Sequence, residues 1–172
     1  GGNGHMAGHV RVYERTSTYI FLPGKNYGED VYGWIRLGID IDGEAADDES
    51  GSSVAMSSNG NRVAIGAPYN DGNGNAAGHV RAYEWNGTAW FQLGTNIEGE
   101  AADEQFGQSV TMSSAGDRMV IGAHRNFHSA VHGHVRVYDW NGVVWAQVGN
   151  DIDGAIFNSV TMSSDGKRVA IG

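Results

Sequence analysis

The sequence predicts an all-β fold assembled from repeated four-stranded antiparallel sheets, and three observations carry that prediction. The chain repeats itself: Gly8-His9-Val10-Arg11-Val12-Tyr13 returns as Gly78-His79-Val80-Arg81-Ala82-Tyr83 and as Gly133-His134-Val135-Arg136-Val137-Tyr138. Met56-Ser57-Ser58 likewise returns at Met112 and Met162, each time followed by a turn and an apolar run over residues 62–66, 118–122 or 168–172. The 50 to 56 residues between those methionines are too many for a solenoid coil and suit a small sheet repeated around an axis. Finally, 27 glycines against two prolines, with five Trp and seven Tyr, favour short strands and tight turns, and no segment shows a long 3.6-residue apolar stripe. The architecture implied is a β-propeller, with three blades' worth of strands in the chain.

Each element of a unit has its own signal, clearest between Gly107 and about Gly154. Ser109-Val110-Thr111-Met112-Ser113 alternates apolar and polar residues, as a half-buried strand does. Ala115-Gly116-Asp117 is a turn, and residues 118–122 form a second, more apolar strand. Residues 124–132 read as a longer loop. Val135, Val137 and Asp139 then alternate with His134, Arg136, Tyr138 and Trp140 in a third strand. Asn141-Gly142 matches the two positive-φ residues of a tight type I′ hairpin. Residues 143–148 are the fourth strand, with Trp145 in register with Trp90 and Trp34. Repeated along the chain, this meander predicts about twelve short strands and essentially no helix.

The chain thus divides into a half blade over 1–41, a blade over about 52–98, a blade over about 108–153 and a half blade over 159–172. The first copy alone carries an insertion over Thr16–Tyr32, with Pro23-Gly24-Lys25-Asn26, which reads as an extended hairpin or loop. The third copy is short between Gly154 and Ser159. Such non-repeating differences are where a repeat protein places its specificity. Three blades are too few to close a ring, and open strand edges invite pairing. The expectation is self-association through the split blades, two chains giving a six-bladed ring; the competing expectation is further blades in a longer chain.

These residues resemble a known family. Phe106-Gly107-Gln108-Ser109-Val110 with Val120-Ile121-Gly122-Ala123, and Ser53-Val54 with Ile65-Gly66-Ala67-Pro68, are similar to the FG-GAP repeats of integrin-α-type β-propellers. Ser50-Gly51 and Phe157-Asn158 stand where other copies have FG, and Gly122-Ala123-His124 where they have GAP. The resemblance implies a propeller of extracellular or cell-surface type that binds partners. It also implies a calcium loop between the first two strands of a blade. Here those loops are Ser58-Asn59-Gly60-Asn61, Ser114-Ala115-Gly116-Asp117 and Ser164-Asp165-Gly166-Lys167, and they lack the carboxylate cage.

A formal charge of −9 with no basic stripe disfavours nucleic acid. Cysteine is absent, so thiolate chemistry and disulfides are excluded. No apolar run approaches a membrane span, and membrane insertion is not expected. The opening Gly1-Gly2-Asn3-Gly4-His5-Met6 echoes Asp71-Gly72-Asn73-Gly74-Asn75-Ala76.

Acidic residues gather between the fourth strand and the next blade's first: Asp40, Asp42, Glu44, Asp47, Asp48 and Glu49, then Glu98, Glu100, Asp103 and Glu104. A Gly-containing acidic loop can supply the six to eight oxygens calcium takes, so calcium is a candidate ligand there, set against a solvated loop whose carboxylates cap turns. Asp71, Asn73 and Asn75 place oxygens at alternate positions in a second, weaker candidate. His124, His128, His132 and His134 could hold zinc if folded together, but His134 matches His9 and His79 and so reads as a structural hydrogen bond. Trp34, Trp90, Trp145, Tyr13, Tyr83 and Tyr138 recur and therefore read as packing. Tyr27, Tyr32, Tyr69 and Phe127 do not recur and are the candidate ligand-binding aromatics. Asn86-Gly87-Thr88 is a sequon at a hairpin turn. Catalysis would need a nucleophile–base or carboxylate pair standing apart from the repeats, and none is legible. The sequence therefore points to a non-enzymatic binding or adhesion module with a protein or glycan ligand. The alternatives are a carbohydrate-binding propeller and a structural assembly subunit.

Overall fold

The computed structural model describes residues 3–124, 133–154 and 159–172. These form strands and turns with no helix, and every strand pair is antiparallel. The first unit comprises β1 (His9–Val10), β2 (Tyr13–Phe21), β3 (Gly28–Arg36) and β4 (Ile41–Asp42). The second comprises β5 (Ser53–Met56), β6 (Arg62–Ala67), β7 (His79–Trp85), β8 (Trp90–Gln92) and β9 (Ile97–Glu98). The third repeats it with β10 (Phe106–Met112), β11 (Arg118–Ala123), β12 (Gly133–Trp140), β13 (Trp145–Gln147) and β14 (Ile152–Gly154). Strands β15 (Val160–Met162) and β16 (Val169–Ile171) open a fourth.

Sixteen strands stand among the described residues where about twelve were expected, because the fourth strand is broken in each of the first three units and the third strand of the first unit is interrupted between Val10 and Tyr13. In the second unit β8 pairs one end of β7 and β9 pairs the other. The break falls at Gly94, whose φ of +81° only glycine adopts readily. A side chain there would also strike the Trp140 ring of the next unit, which lies over the backbone. The Asn141-Gly142 turn also differs from the expectation. Only Gly142 has positive φ, and a four-residue loop separates the Trp140–Trp145 pair. It is held by Asn141 Oδ1, which accepts from the amides of Val143 and Val144 at 2.9 Å, so the side chain does the work assigned to a type I′ backbone.

The cores lie between sheets and follow the period-two alternation of strands buried on both faces. On β6, Val63 and Ile65 pack back against Val10, Ile41 and Tyr83, while Ala64 joins the next core. On β11, Met119 and Ile121 face back to Ala64, Val80 and Phe106, while Val120 faces forward to Val160. Successive sheets are joined by repeated hydrogen bonds. Trp90 Nε1 donates to the Leu37 carbonyl (2.9 Å), and Trp145 Nε1 donates to that of Leu93 (3.0 Å). Arg62 donates to the Gly116 carbonyl (3.1 Å) and Arg118 to that of Gly166 (3.0 Å). The amides of Ser58 and Ser114 each donate to the serine carbonyl one unit on, at 3.0 Å. The recurring Trp, Arg and Ser therefore build the junctions as well as the sheets.

Candidate functional site

The two acidic loops have the same fold. Each docks on the segment preceding a third strand: the Asp47 amide donates to the His5 carbonyl and the Asp103 amide to that of Asn75. Asn3 Nδ2 bonds the Gly43 carbonyl and Asn73 Nδ2 that of Gly99, both at 2.7 Å. Positive φ recurs in step, at Met6 and Ala76, Asp47 and Asp103, Glu49 and Gln105. The echo between residues 3–6 and 73–76 is therefore structural, and Asn73 acts as a clamp.

Most of the carboxylates offered for calcium face cations or donors of this chain. Asp40 binds Arg11 and Arg36, at 2.9 and 2.8 Å. Arg11 holds its carboxyl below the usual range. Buried Asp48 accepts from Asn70 Nδ2 and the Ala45 amide. Glu44 lies 3.7 Å from Arg81, Glu100 lies 2.9 Å from Arg136, and Asp47 pairs with His5. Asp42 sits on β4, where its carbonyl receives Arg81. Among the described residues no group of three or more His, Asp or Glu is arranged to hold a metal. Asp47, Glu49, Asp71 and Asp103, with Tyr69, line an open groove of about 580 Å³ between the two loops. The turns between first and second strands are closed by their own side chains, such as Ser57 Oγ on Asn59 and Ser113 Oγ on Asp117.

Behind the loops lie two polar junctions that the sequence reading did not anticipate as a pair. In one, His134 Nε2 lies 2.7 Å from Glu104 Oε1, and both residues are buried. Arg136, also buried, reaches Asp151, Glu100 and Glu104. Burial pushes the Glu104 carboxyl up, but His134, the Ala101 amide and Arg136 together bring it below its ordinary value. In the other, Asp48 replaces Glu104 and is shorter by a methylene, and the buried His79 has no carboxylate as close as Glu104 is to His134. Its Nδ1 lies 3.9 Å from both Glu44 and Glu98. Burial and Arg81 hold the His79 pKa down, and burial pushes that of Glu98 up. His134 thus faces Glu104; His128, His132 and Phe127 lie outside the described residues.

The Thr16–Tyr32 insertion is an extended hairpin. β2 and β3 stay paired for six rungs beyond Arg15–Trp34, the pair equivalent to Trp85–Trp90 where the second unit turns back. At about 3.4 Å per residue the ribbon projects roughly 20 Å past the repeat. Directly opposed residues share a face. One face carries Tyr19, Phe21 and Tyr32 with Arg15 and Asp30; the other carries Ile20 and Val31. All five apolar or aromatic side chains are exposed, and Phe21 is 73% so. Arg15 lies over the Tyr32 ring at 4.0 Å, and Tyr19 meets Phe21 edge-on at 5.5 Å. Tyr27, near the tip, is exposed as well. The structure thus brings Tyr27 and Tyr32 to one ribbon and leaves Tyr69 at the acidic groove. Sequence reasoning missed Tyr19 and Phe21, although their alternation with Arg15 and Ser17, continuing past the repeat, was a usable signal.

Residues 40–83 match the family model for the FG-GAP repeat. This stretch is similar to an FG-GAP repeat. It runs from the acidic loop through β5 and β6 to Tyr83 on β7, so the FG-GAP unit spans one inter-sheet junction. The fold resembles the crystal structure of a protein described as a candidate 6-phosphogluconolactonase from Bacteroides uniformis, with a TM-score of 0.57 at 13% identity. The alignment covers 94% of this chain and 43% of that one, so the chain spans less than half the length of its structural relative. At that identity the likeness is one of fold. No curated protein matches the chain.

Proposed function

We propose that this chain is a non-enzymatic binding module of extracellular or cell-surface type, built on a closed β-propeller, with the β2–β3 ribbon as its protein-contact surface. The observation that carries the reading is the ribbon itself. It is the one long element outside the repeat among the described residues, and it holds an aromatic face away from any core. Exposed aromatic residues with an arginine are the side chains that dominate protein interfaces. The FG-GAP repeat supports a propeller scaffold and the binding role. The buried His134–Glu104–Arg136 cluster is closed to a substrate, which favours binding over catalysis.

The test replaces residues 16–33 by Asn-Gly-Thr-Ala, the turn the second unit uses after Trp85. Wild type and variant are screened side by side on arrays of extracellular proteins and of glycans. Protein binding that disappears in the variant supports the proposal. Binding of glycans inhibited by free sugar identifies the carbohydrate-binding alternative. Protein binding that survives the replacement removes the ribbon from the interface.

A further inference from the structure

Asn86 is the only asparagine in the sequence followed two places on by serine or threonine, and the residue between them is Gly87. It opens the turn from β7 to β8, directly after the Trp85 that pairs with Trp90. The Asn86 amide donates to the Ala89 carbonyl at 3.2 Å, which closes the turn in four residues. Asn86 Oδ1 accepts from the Thr88 amide (2.9 Å), the Ala89 amide (2.9 Å) and the Thr88 hydroxyl (3.0 Å). All three bonds use the side-chain oxygen, so the side-chain nitrogen is not what holds the turn. Asn86, Gly87 and Thr88 are exposed, and a Cβ added at Gly87 would meet no atom within 4 Å.

The third unit makes the same turn without the hydroxyl. Asn141 Oδ1 accepts from the amides of Val143 and Val144, and the Asn141 amide donates to the Val144 carbonyl at 3.2 Å. Val143 stands where Thr88 stands and is 75% exposed. The fold therefore calls for asparagine at the first position of the turn, while the Thr88 hydroxyl is not needed to form it. A hydroxyl held beside an asparagine amide on an exposed tip is the arrangement that N-linked glycosylation takes.

We propose that Asn86 is an N-glycosylation site, with Thr88 as its recognition residue. The inference rests on the reading of the chain as extracellular, since the transfer belongs to the secretory route. The co-substrate is an oligosaccharide carried on a lipid diphosphate. Asn86 Nδ2 forms a bond to C1 of the first sugar as the bond from C1 to the diphosphate oxygen breaks. The lipid diphosphate leaves with that electron pair, and a proton of the amide passes to a base of the transferase. Nothing is oxidised or reduced. The bonds of the turn join residues no more than three apart, so it can close before the sheets assemble. In the folded chain the exposed tip leaves a bulky, hydrated sugar in solvent.

The full chain is sent through the secretory pathway of cultured animal cells behind a cleavable secretion signal, and intact mass with peptide mapping reads the modification. Wild type should gain one oligosaccharide at Asn86, released by a peptide N-glycosidase that converts the asparagine to aspartate. Asn86→Gln and Thr88→Val should lose it, and Thr88→Ser should keep it. Val143→Thr, which supplies the hydroxyl missing from the third unit, should gain a second oligosaccharide at Asn141. An unmodified Asn86 overturns the proposal, and modification of Asn141 in the Val143→Thr chain then assigns the failure to Asn86 alone. A glycan that persists in Thr88→Val overturns it as well. The ribbon variant carries the same Asn-Gly-Thr-Ala turn, so its comparison with wild type on the arrays is made on enzymatically deglycosylated protein. A glycan at Asn86 with no protein bound on those arrays leaves the site standing and removes the binding reading; protein binding by a chain unmodified at Asn86 does the reverse.

Discussion

Replacing Arg136 by methionine removes the cation at the centre of the third unit's polar junction while keeping much of its volume. The guanidinium is 2% exposed and bonds both oxygens of Asp151 at 3.0 Å. It also lies 2.9 Å from Glu100 and 3.4 Å from the equally buried Glu104. Breaking a buried pair by deleting one partner costs about 3–5 kcal/mol, because the remaining charge keeps its desolvation penalty. For a chain of this size that corresponds to a melting temperature lower by about 6–20 °C. The loss should depend on pH. Glu104 titrates below its ordinary value in the folded protein, so its stabilising contribution is complete at neutral pH and lost as pH falls through that depressed pKa. The deficit of Arg136→Met should therefore be largest near pH 7 and shrink below about pH 4, where the carboxyl is protonated. Adding Glu104→Gln should recover most of it, since the orphaned charge is then gone. Thermal unfolding by circular dichroism, at fixed protein concentration, measures all three. A loss under about 1 kcal/mol, or additive losses in the double variant, would refute a junction held by buried charge.

Three further outcomes follow from the same structure. His79, whose pKa is held down by burial and Arg81 despite Glu44, Glu98 and Asp48 nearby, takes up its proton in the unfolded chain first. Urea midpoints should therefore fall as pH drops through about 6.5, and His79→Gln should flatten that slope; equal slopes would count against it. Gly78→Ala forces a non-glycine residue to φ +77° and drives its Cβ into the Phe106 carbonyl oxygen, so a loss of about 3 kcal/mol or more is expected in denaturant titration. Replacing residues 16–33 by the short turn removes no core side chain and should move the melting temperature by no more than about 2 °C, a larger fall showing that the ribbon supports the fold.

The repeat was legible because every junction needs the same residues. Gly78 permits the close approach to Phe106, Arg62 and Arg118 reach across to the next unit, and Trp90 and Trp145 cap the previous one. Periodicity alone located the third strands to within a residue or two. The split fourth strand was not legible, since Gly94 looks like any loop glycine until the Trp140 ring is seen lying over it. Asn141 likewise declares a turn without declaring whether its backbone or its side chain makes it. The acidic loops were legible only in part. Carboxylates close in sequence suggested a shared ligand, yet Asp40, Glu100 and Glu104 each answer to an arginine, and those contacts come from pairing rather than from spacing. The ribbon stood out against the repeat as extra sequence, but which aromatic residues share its face depended on the Arg15–Trp34 register.

The indole-to-carbonyl and arginine-to-carbonyl bonds between sheets have a consequence for how such chains change over generations. Each unit offers an indole donor and a glycine carbonyl to the unit before it, and an arginine donor and a leucine carbonyl to the unit after it, so this set of bonds recurs at the described boundaries. Duplicating or deleting one whole unit leaves no unsatisfied group inside the array, whereas losing part of a unit leaves an arginine without its acid and an indole without its carbonyl. The number of units is therefore free to drift while the boundary between them is not. Insertions that avoid that boundary, as the ribbon does, can be acquired without disturbing any neighbour.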